Sequence, residues 1–176
     1  MKSLGLDLSC STCGFAITED KKIVDVGYFD ISKVEKYKDK SRIIIDGLVG
    51  KEFERINVEE NLSGFAFGKT SQQTLLKLAK NKAVICYILE EHYHLPMVYA
   101  NAVTMRKQLF GVSRIKGIKP KDFVKQKIET MYNMAPWIVL NRNGVPDKRM
   151  EDAYDAIVVS CYENHTDNVR QMRQES

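Results

Sequence analysis

Three strand-like runs of apolar residues open the chain, at residues 2–9, 13–19 and 22–30, separated by the short polar breaks Ser11-Thr12 and Asp20-Lys21. Runs of this length joined by turns predict an antiparallel meander. A lysine-rich stretch from Lys33 leads into Ile43-Ile44-Ile45-Asp46-Gly47-Leu48-Val49 and Phe53, read as a helix, and residues 55–59 form a fourth strand. The stretch Asn61 to Lys69, punctuated by Gly64 and Gly68, reads as an irregular loop. A long helix is expected from Thr70-Ser71 to about Tyr93, followed by a fifth strand at 96–100 and a short helix at about 102–110 ending at Gly111. A basic loop then precedes a helix from Lys121 to about Met134. The last helix is expected to start at Pro146-Asp147, with Asp147 as N-cap, and to run to about Asn164.

This order predicts an α/β fold: a five-stranded mixed sheet, with three antiparallel strands plus two parallel ones, flanked by helices. The first and fourth strands can then lie side by side. The length of 176 residues fits one core, so residues 1–165 are expected to form a single domain and residues 166–176 a polar tail. On the long helix Leu75, Leu78, Ala79, Ala83, Cys86 and Leu89 make one stripe, and Leu76, Val84, Ile85 and Ile88 widen it. So broad an arc leaves two readings open, burial against a second subunit or full burial within one chain.

Hydrophobic residues at 44% and charged residues at 28% are ordinary for a soluble globular protein. No apolar run is long enough to span a membrane, and the opening Met-Lys-Ser-Leu-Gly-Leu-Asp is not a signal peptide, so the expected compartment is the cytoplasm. The net charge of +4 implies no polyanionic partner by itself. Its distribution is more telling, because Arg106, Lys107, Arg114, Lys116, Lys119, Lys121, Lys125 and Lys127 are opposed only by Asp122. That segment could face a polyanion or could be a solvated helix face with a basic loop. Cys10-Ser-Thr-Cys13 has the spacing of zinc and redox sites but lacks a second ligand pair, and it falls in a turn between strands. The cysteines are read as reduced thiols without a function.

Four carboxylates change the picture. Asp7 lies inside the run Leu4-Gly5-Leu6-Asp7-Leu8, and Glu59 ends Ile56-Asn57-Val58-Glu59. Asp152 and Asp155 stand three apart, so a helix places them on one face among Ala153, Ala156, Ile157 and Val159. A carboxylate at the end of a buried strand is costly unless paired or bound to a cation. Three converging segments of this kind suggest hard oxygen ligands for Mg²⁺ or Mn²⁺, and with them phosphoryl-transfer chemistry.

Leu4-Gly5-Leu6-Asp7-Leu8-Ser9 followed by Gly14-Phe15-Ala16-Ile17, then Val58-Glu59-Glu60, then Gln73-Thr74-Leu75-Leu76-Lys77-Leu78-Ala79, and finally Asp152-Ala153-Tyr154-Asp155-Ala156 resemble, in order and spacing, the RuvC-type Holliday junction resolvases of the ribonuclease H-like superfamily. Tyr99 to Lys107 with Gly111 is similar to the family segment before its basic loop. The resemblance spans about residues 3–162. It implies a ribonuclease H-like fold and a homodimeric endonuclease that nicks branched DNA symmetrically with two Mg²⁺ ions, for which Mn²⁺ can substitute. It implies Asp7, Glu59, Asp152 and Asp155 as metal ligands, Lys121 as support for the reacting phosphate, and Lys107 as a DNA contact. Arg114, Lys116 and Lys119 are expected to contact DNA from the basic loop.

The resemblance has departures. The aromatic residue the family often carries three positions after its glutamate is Leu62 here. Phe65 or Phe67 could serve as the wedge that pries bases apart, or both could pack the loop. Strand alternation allows only one of Glu59 and Glu60 to point at the metals, and the family match favours Glu59. Competing readings are a nuclease for RNA–DNA hybrids, a DNA-binding module without activity, and a nucleotide-dependent kinase. The last rests on Asp7-Leu8-Ser9-x-Ser11-Thr12-x-Gly14, but such proteins need two domains around a cleft.

Overall fold

A computed structural model describes residues 1–60 and 72–163. Three strands come first: β1 (Lys2–Leu8), β2 (Thr12–Glu19) and β3 (Lys22–Asp30). Asp20 and Lys21 both take positive φ, at 48° and 64°, the backbone twist that a two-residue hairpin between β2 and β3 requires. Helix α1 (Tyr37–Leu48) leads to β4 (Arg55–Glu59), helix α2 (Gln72–Tyr93) to β5 (Met97–Ala100). Three further helices follow: α3 (Ala102–Phe110), α4 (Pro120–Met131) and α5 (Met150–Ser160).

The strands form one sheet in the order β3-β2-β1-β4-β5. β1 pairs antiparallel with β2 and β2 with β3, while β1 with β4 and β4 with β5 are parallel. The expected mixed sheet and the expected adjacency of the first and fourth strands are both present. Strand alternation separates two chemistries. Leu4, Leu6, Leu8, Ile56 and Val58 join Ile44, Leu48, Ile85 and Leu89 in an apolar core beneath α1 and α2. The alternate residues Ser3, Gly5, Asp7, Arg55, Asn57 and Glu59 fall on the other face, towards α5.

Helix α5 is buried along nearly its whole length, from Met150 to Ser160. Its two closest approaches to the sheet occur at glycines. A Cβ on Gly5 would stand 2.4 Å from the carbonyl oxygen of Ala156, and one on Gly14 would stand 2.1 Å from that of Asp152. No side chain fits in either place, so these glycines set how near the helix comes. From β4, Asn57 Nδ2 donates to the carbonyls of Val159 and Tyr162, each at 3.0 Å, and Arg55 Nη2 donates to Tyr162 O at 2.8 Å. These bonds satisfy carbonyls that a helix C-terminus leaves without intrahelical partners.

Three local expectations are corrected. Phe53 lies beyond α1, which ends at Leu48. The helix from Lys121 stops at Met131, and a one-turn 3₁₀ helix follows at Ala135–Trp137. The last helix starts at Met150 rather than at Pro146-Asp147, because the Asp147 carboxylate is taken by Arg149, which donates to it from both main chain and guanidinium. The broad apolar arc of α2 is also only partly buried here: Ile85, Cys86 and Leu89 are inside, whereas Leu75 is 38% and Leu76 56% exposed.

Candidate active site

The parallel register places Leu6 opposite Val58, so Asp7 and Glu59 are the next residues along two adjacent strands. Both alternate away from the apolar core towards α5. Glu60 is exposed and lines the groove between α2 and β5 with Lys82 and Tyr99. Alternation thus separates the two glutamates.

Asp152 and Asp155 arrive from above on α5. Gly14, the register partner of Asp7 on β2, lies directly under the Asp152 main chain. The electrostatics show that the carboxylates feel one another. Burial pushes the Asp7 carboxyl well above the usual carboxylate range, and the charges of Asp155, Glu59 and Asp152 push it the same way. Asp155, 7% exposed, is raised to about 6, again chiefly by burial, with Arg106 opposing the shift and Glu59 adding to it. Burial and the neighbouring negative charges both disfavour the ionised forms of Asp7 and Asp155, and a cation bound beside them would favour those forms.

Two basic side chains meet the cluster. Lys121, at the start of α4, donates from Nζ to Asp152 Oδ1 at 2.8 Å and stands 3.5 Å from Glu151. Burial of the Lys121 amine opposes its charging, but the Asp152 hydrogen bond and the surrounding carboxylates outweigh it and raise its proton affinity. Arg106, on α3, places Nη2 3.4 Å from Asp155 Oδ1. Its neighbour Lys107 is exposed and does not face the carboxylates.

Arg106 is the residue that reading the chain as a sequence misses, since it counted only as one of several basic residues in that segment. A second omission is the support behind the strands. Lys82 Nζ donates to the main-chain carbonyl of Glu59 at 2.5 Å, and Asn81 Nδ2 donates to that of Ser9 at 3.0 Å. Lys40 donates to the carbonyl of Cys10. Two helices on the apolar face thus fasten the ends of β1 and β4, where Asp7 and Glu59 sit. Buried lysines in an apolar helix pattern give no sign of which carbonyl they will find.

Arg114, Lys116 and Lys119 are exposed on the connection between α3 and α4. Phe65 and Phe67 lie outside the described residues. All four cysteines carry free thiols, and Cys13 is packed in the apolar core.

The donor set consists of carboxylate oxygens alone, which suits a hard divalent cation. Among the described residues, however, no three acidic, histidine or cysteine side chains are gathered as a ready-made metal cluster. Arg106 and Lys121 hold Asp155 and Asp152 instead.

A five-stranded sheet in this order, crossed by a buried C-terminal helix, is the ribonuclease H-like fold. It is shared with solved Holliday junction resolvases. Thermus thermophilus RuvC in complex with a Holliday junction substrate superposes with a TM-score of 0.63 at 13% identity, covering 98% of this chain and 96% of that one. A second Thermus thermophilus RuvC structure gives 0.58 at 12%, covering 98% and 97%. The yeast mitochondrial Holliday junction resolvase Ydc2 gives 0.56 at 14%, covering 90% of this chain and 75% of that one. No protein-family model and no curated protein sequence matches the chain. At these identities the likeness is one of fold. None of the helices among the described residues is long and apolar enough to cross a membrane.

Proposed function

We propose that this chain is a structure-selective endonuclease that hydrolyses phosphodiester bonds in branched DNA, the four-way junction foremost, and works as a homodimer. The observation that supports this reading is that Asp7 and Glu59, next to each other on adjacent strands, face the helix that carries Asp152 and Asp155, close enough for the other three charges to act on Asp7. These four side chains would hold divalent metal, Mg²⁺ or Mn²⁺. Bound there, the metal would supply Lewis-acid stabilisation of a phosphoryl oxygen and a water of lowered pKa.

The chain's own residues have distinct parts in this reading. Asp7 and Glu59, on adjacent strands tied from behind by Lys82 and Asn81, form a fixed floor. Asp152 and Asp155 form a ceiling whose height Gly5 and Gly14 set. Lys121, half-exposed, would hold a non-bridging phosphate oxygen, and Arg106 would balance the charge at Asp155. Arg114, Lys116, Lys119 and Lys107 contribute backbone contacts, the class of contact that positions a nucleic acid without reading its sequence.

A second copy of the chain fits the exposed apolar part of α2. Leu75, Leu76 and Tyr87 are exposed there, and Tyr99 of the neighbouring strand shares a groove with Tyr87. Two-fold pairing would present two sites to the two-fold symmetry of a four-way junction. Cleavage mapping on a mobile four-way junction with Mg²⁺ or Mn²⁺ tests the whole reading. Paired, symmetric nicks on opposed strands are expected. Cleavage confined to RNA–DNA hybrids, or binding without cleavage in either metal, contradicts it.

A further inference from the structure

Between the 3₁₀ turn at Ala135–Trp137 and α5 the chain makes a small hairpin that the catalytic reading does not use. Its arms are joined by Asp147 N donating to Val139 O at 2.8 Å and Asn141 N donating to Val145 O at 2.8 Å. The tip is closed by the side chain of Asn141, whose Oδ1 accepts from Asn143 N at 2.9 Å, and by Gly144 at φ 73°.

The base of the hairpin is fastened firmly. Arg149 donates to both Asp147 oxygens, at 2.9 and 2.6 Å, and to Asp30 Oδ2 at 2.6 Å. Its guanidinium lies 4.7 Å from the Tyr28 ring centroid, and the Tyr28 hydroxyl donates to Asp147 at 3.1 Å. The tip, by contrast, is bare. Leu140 is 58% and Val145 50% exposed, and Arg142 at the apex has no hydrogen bond or ion pair among the described residues. The fastened base holds Leu140, Arg142 and Val145 out where another molecule can reach them.

Its location says what. Asp7 pairs with Gly14, and Gly14 pairs with Tyr28, so the fastening residue lies in the same cross-sheet row as Asp7. Two strand spacings make that offset about 10 Å. The hairpin also runs directly into α5, which carries Asp152 and Asp155. Its few apolar side chains are far short of the roughly 800 Å² per partner that a stable protein interface needs. An arginine flanked by apolar side chains instead suits a polyanion with exposed bases and sugars.

We propose that this hairpin is a second DNA-contacting element: Arg142 takes a backbone phosphate, and Leu140 with Val145 lies against the sugar and base faces of a strand leaving the branch. The inference rests on the nuclease reading above.

The test uses the full-length protein and a four-way junction carrying 2-aminopurine beside the branch, titrated over a series of salt concentrations. Arg142→Ala is expected to weaken junction binding several-fold and to lower the slope of log affinity against log salt by about 1. The double variant Leu140→Ser, Val145→Ser is expected to keep that slope but to lose much of the 2-aminopurine fluorescence rise. Because all three positions are exposed, both variants should melt as the wild type does. Wild-type affinity, slope and fluorescence in both variants would overturn the hairpin's role while leaving the nuclease reading intact. A change in sedimentation with unchanged DNA binding would overturn it in favour of a protein contact. A wild-type protein that neither binds nor cuts branched DNA would bring down the nuclease reading, and this inference with it.

Discussion

The two faces of the sheet are built from alternate residues of the same strands, yet they obey opposite rules. On the α1 and α2 side, Leu4, Leu6, Leu8, Ile56 and Val58 make a dry core. On the α5 side the same strands present a serine, a glycine, an aspartate, an arginine, an asparagine and a glutamate. The dry face supplies stability, and its substitution should cost folding energy without touching chemistry. The α5 face buries Ser3, Arg55, Asn57 and Asp155, polar and charged groups that the dry face excludes, which is the pattern expected where function comes at some cost to stability.

The largest effect that sharpens this contrast is expected at Gly14. Gly14→Leu drives a side chain into the Asp152 main chain, already 2.1 Å from where even a Cβ would stand. Helix α5 then cannot dock, and no cooperative thermal transition should be seen. Retention of a wild-type melting curve would show that the helix contact is not what sets the fold.

Next comes Asp7→Asn. Cleavage should fall by at least about 10²–10³-fold, the scale for losing one preorganised charge-stabilising group. Stability without metal should move the other way. In the metal-free fold Asp7 and Asp155 both hold protons above their ordinary values, so the wild type loses stability as pH rises from the ordinary carboxylate value of 3.8 through about 6. Asp7→Asn removes its share of that loss, so its melting temperature should depend less on pH. A variant that melts earlier than wild type at pH 7 without metal would contradict this sign.

Leu6→Ala is the mirror experiment on the dry face. It should destabilise by about 2–5 kcal/mol, as large-to-small core changes do, while cleavage per folded molecule stays unchanged. Denaturant titration and an activity assay on the folded fraction would separate the two quantities.

The smallest effect belongs to the partly buried hairpin base. Arg149 holds the Asp147 carboxyl well below the usual carboxylate range. Its contribution is therefore present above the unfolded value and is lost as pH falls below about 4. Faster amide exchange of residues 139–147 in acid, ahead of global unfolding, would report it. Uniform exchange across the chain would not fit.

How much of this could be read from the chain follows from residue spacing. β1, β2, β3 and β4 are runs long enough for their edges to show, and Asp7 and Glu59 stand out because one carboxylate interrupts an apolar run and the other ends one. Asp152 and Asp155 are legible for another reason, since a spacing of three puts both carboxylates on one helix face among apolar neighbours. The hairpin at 139–147 is not, because its arms contribute only Val139-Leu140 and Val145-Pro146, too short for any periodicity to register. Asp147 reads as a helix cap in the sequence because the signal is the same whether it caps a helix or grips Arg149. That Arg106 is the basic residue of α3 that reaches a carboxylate is a matter of helical phase. One residue turns the side chain by about 100°, and nine residues with a single buried anchor, Met105, do not set that phase from sequence.

The central claim, that Asp7, Glu59, Asp152 and Asp155 together make one divalent-metal site, is tested most directly by anomalous diffraction from crystals soaked in Mn²⁺. The account predicts manganese density between these four side chains, with Lys121 and Arg106 drawn off the carboxylates they now hold. Crystals in which Asp152 and Asp155 stay paired with Lys121 and Arg106, with no manganese beside Asp7, would contradict it.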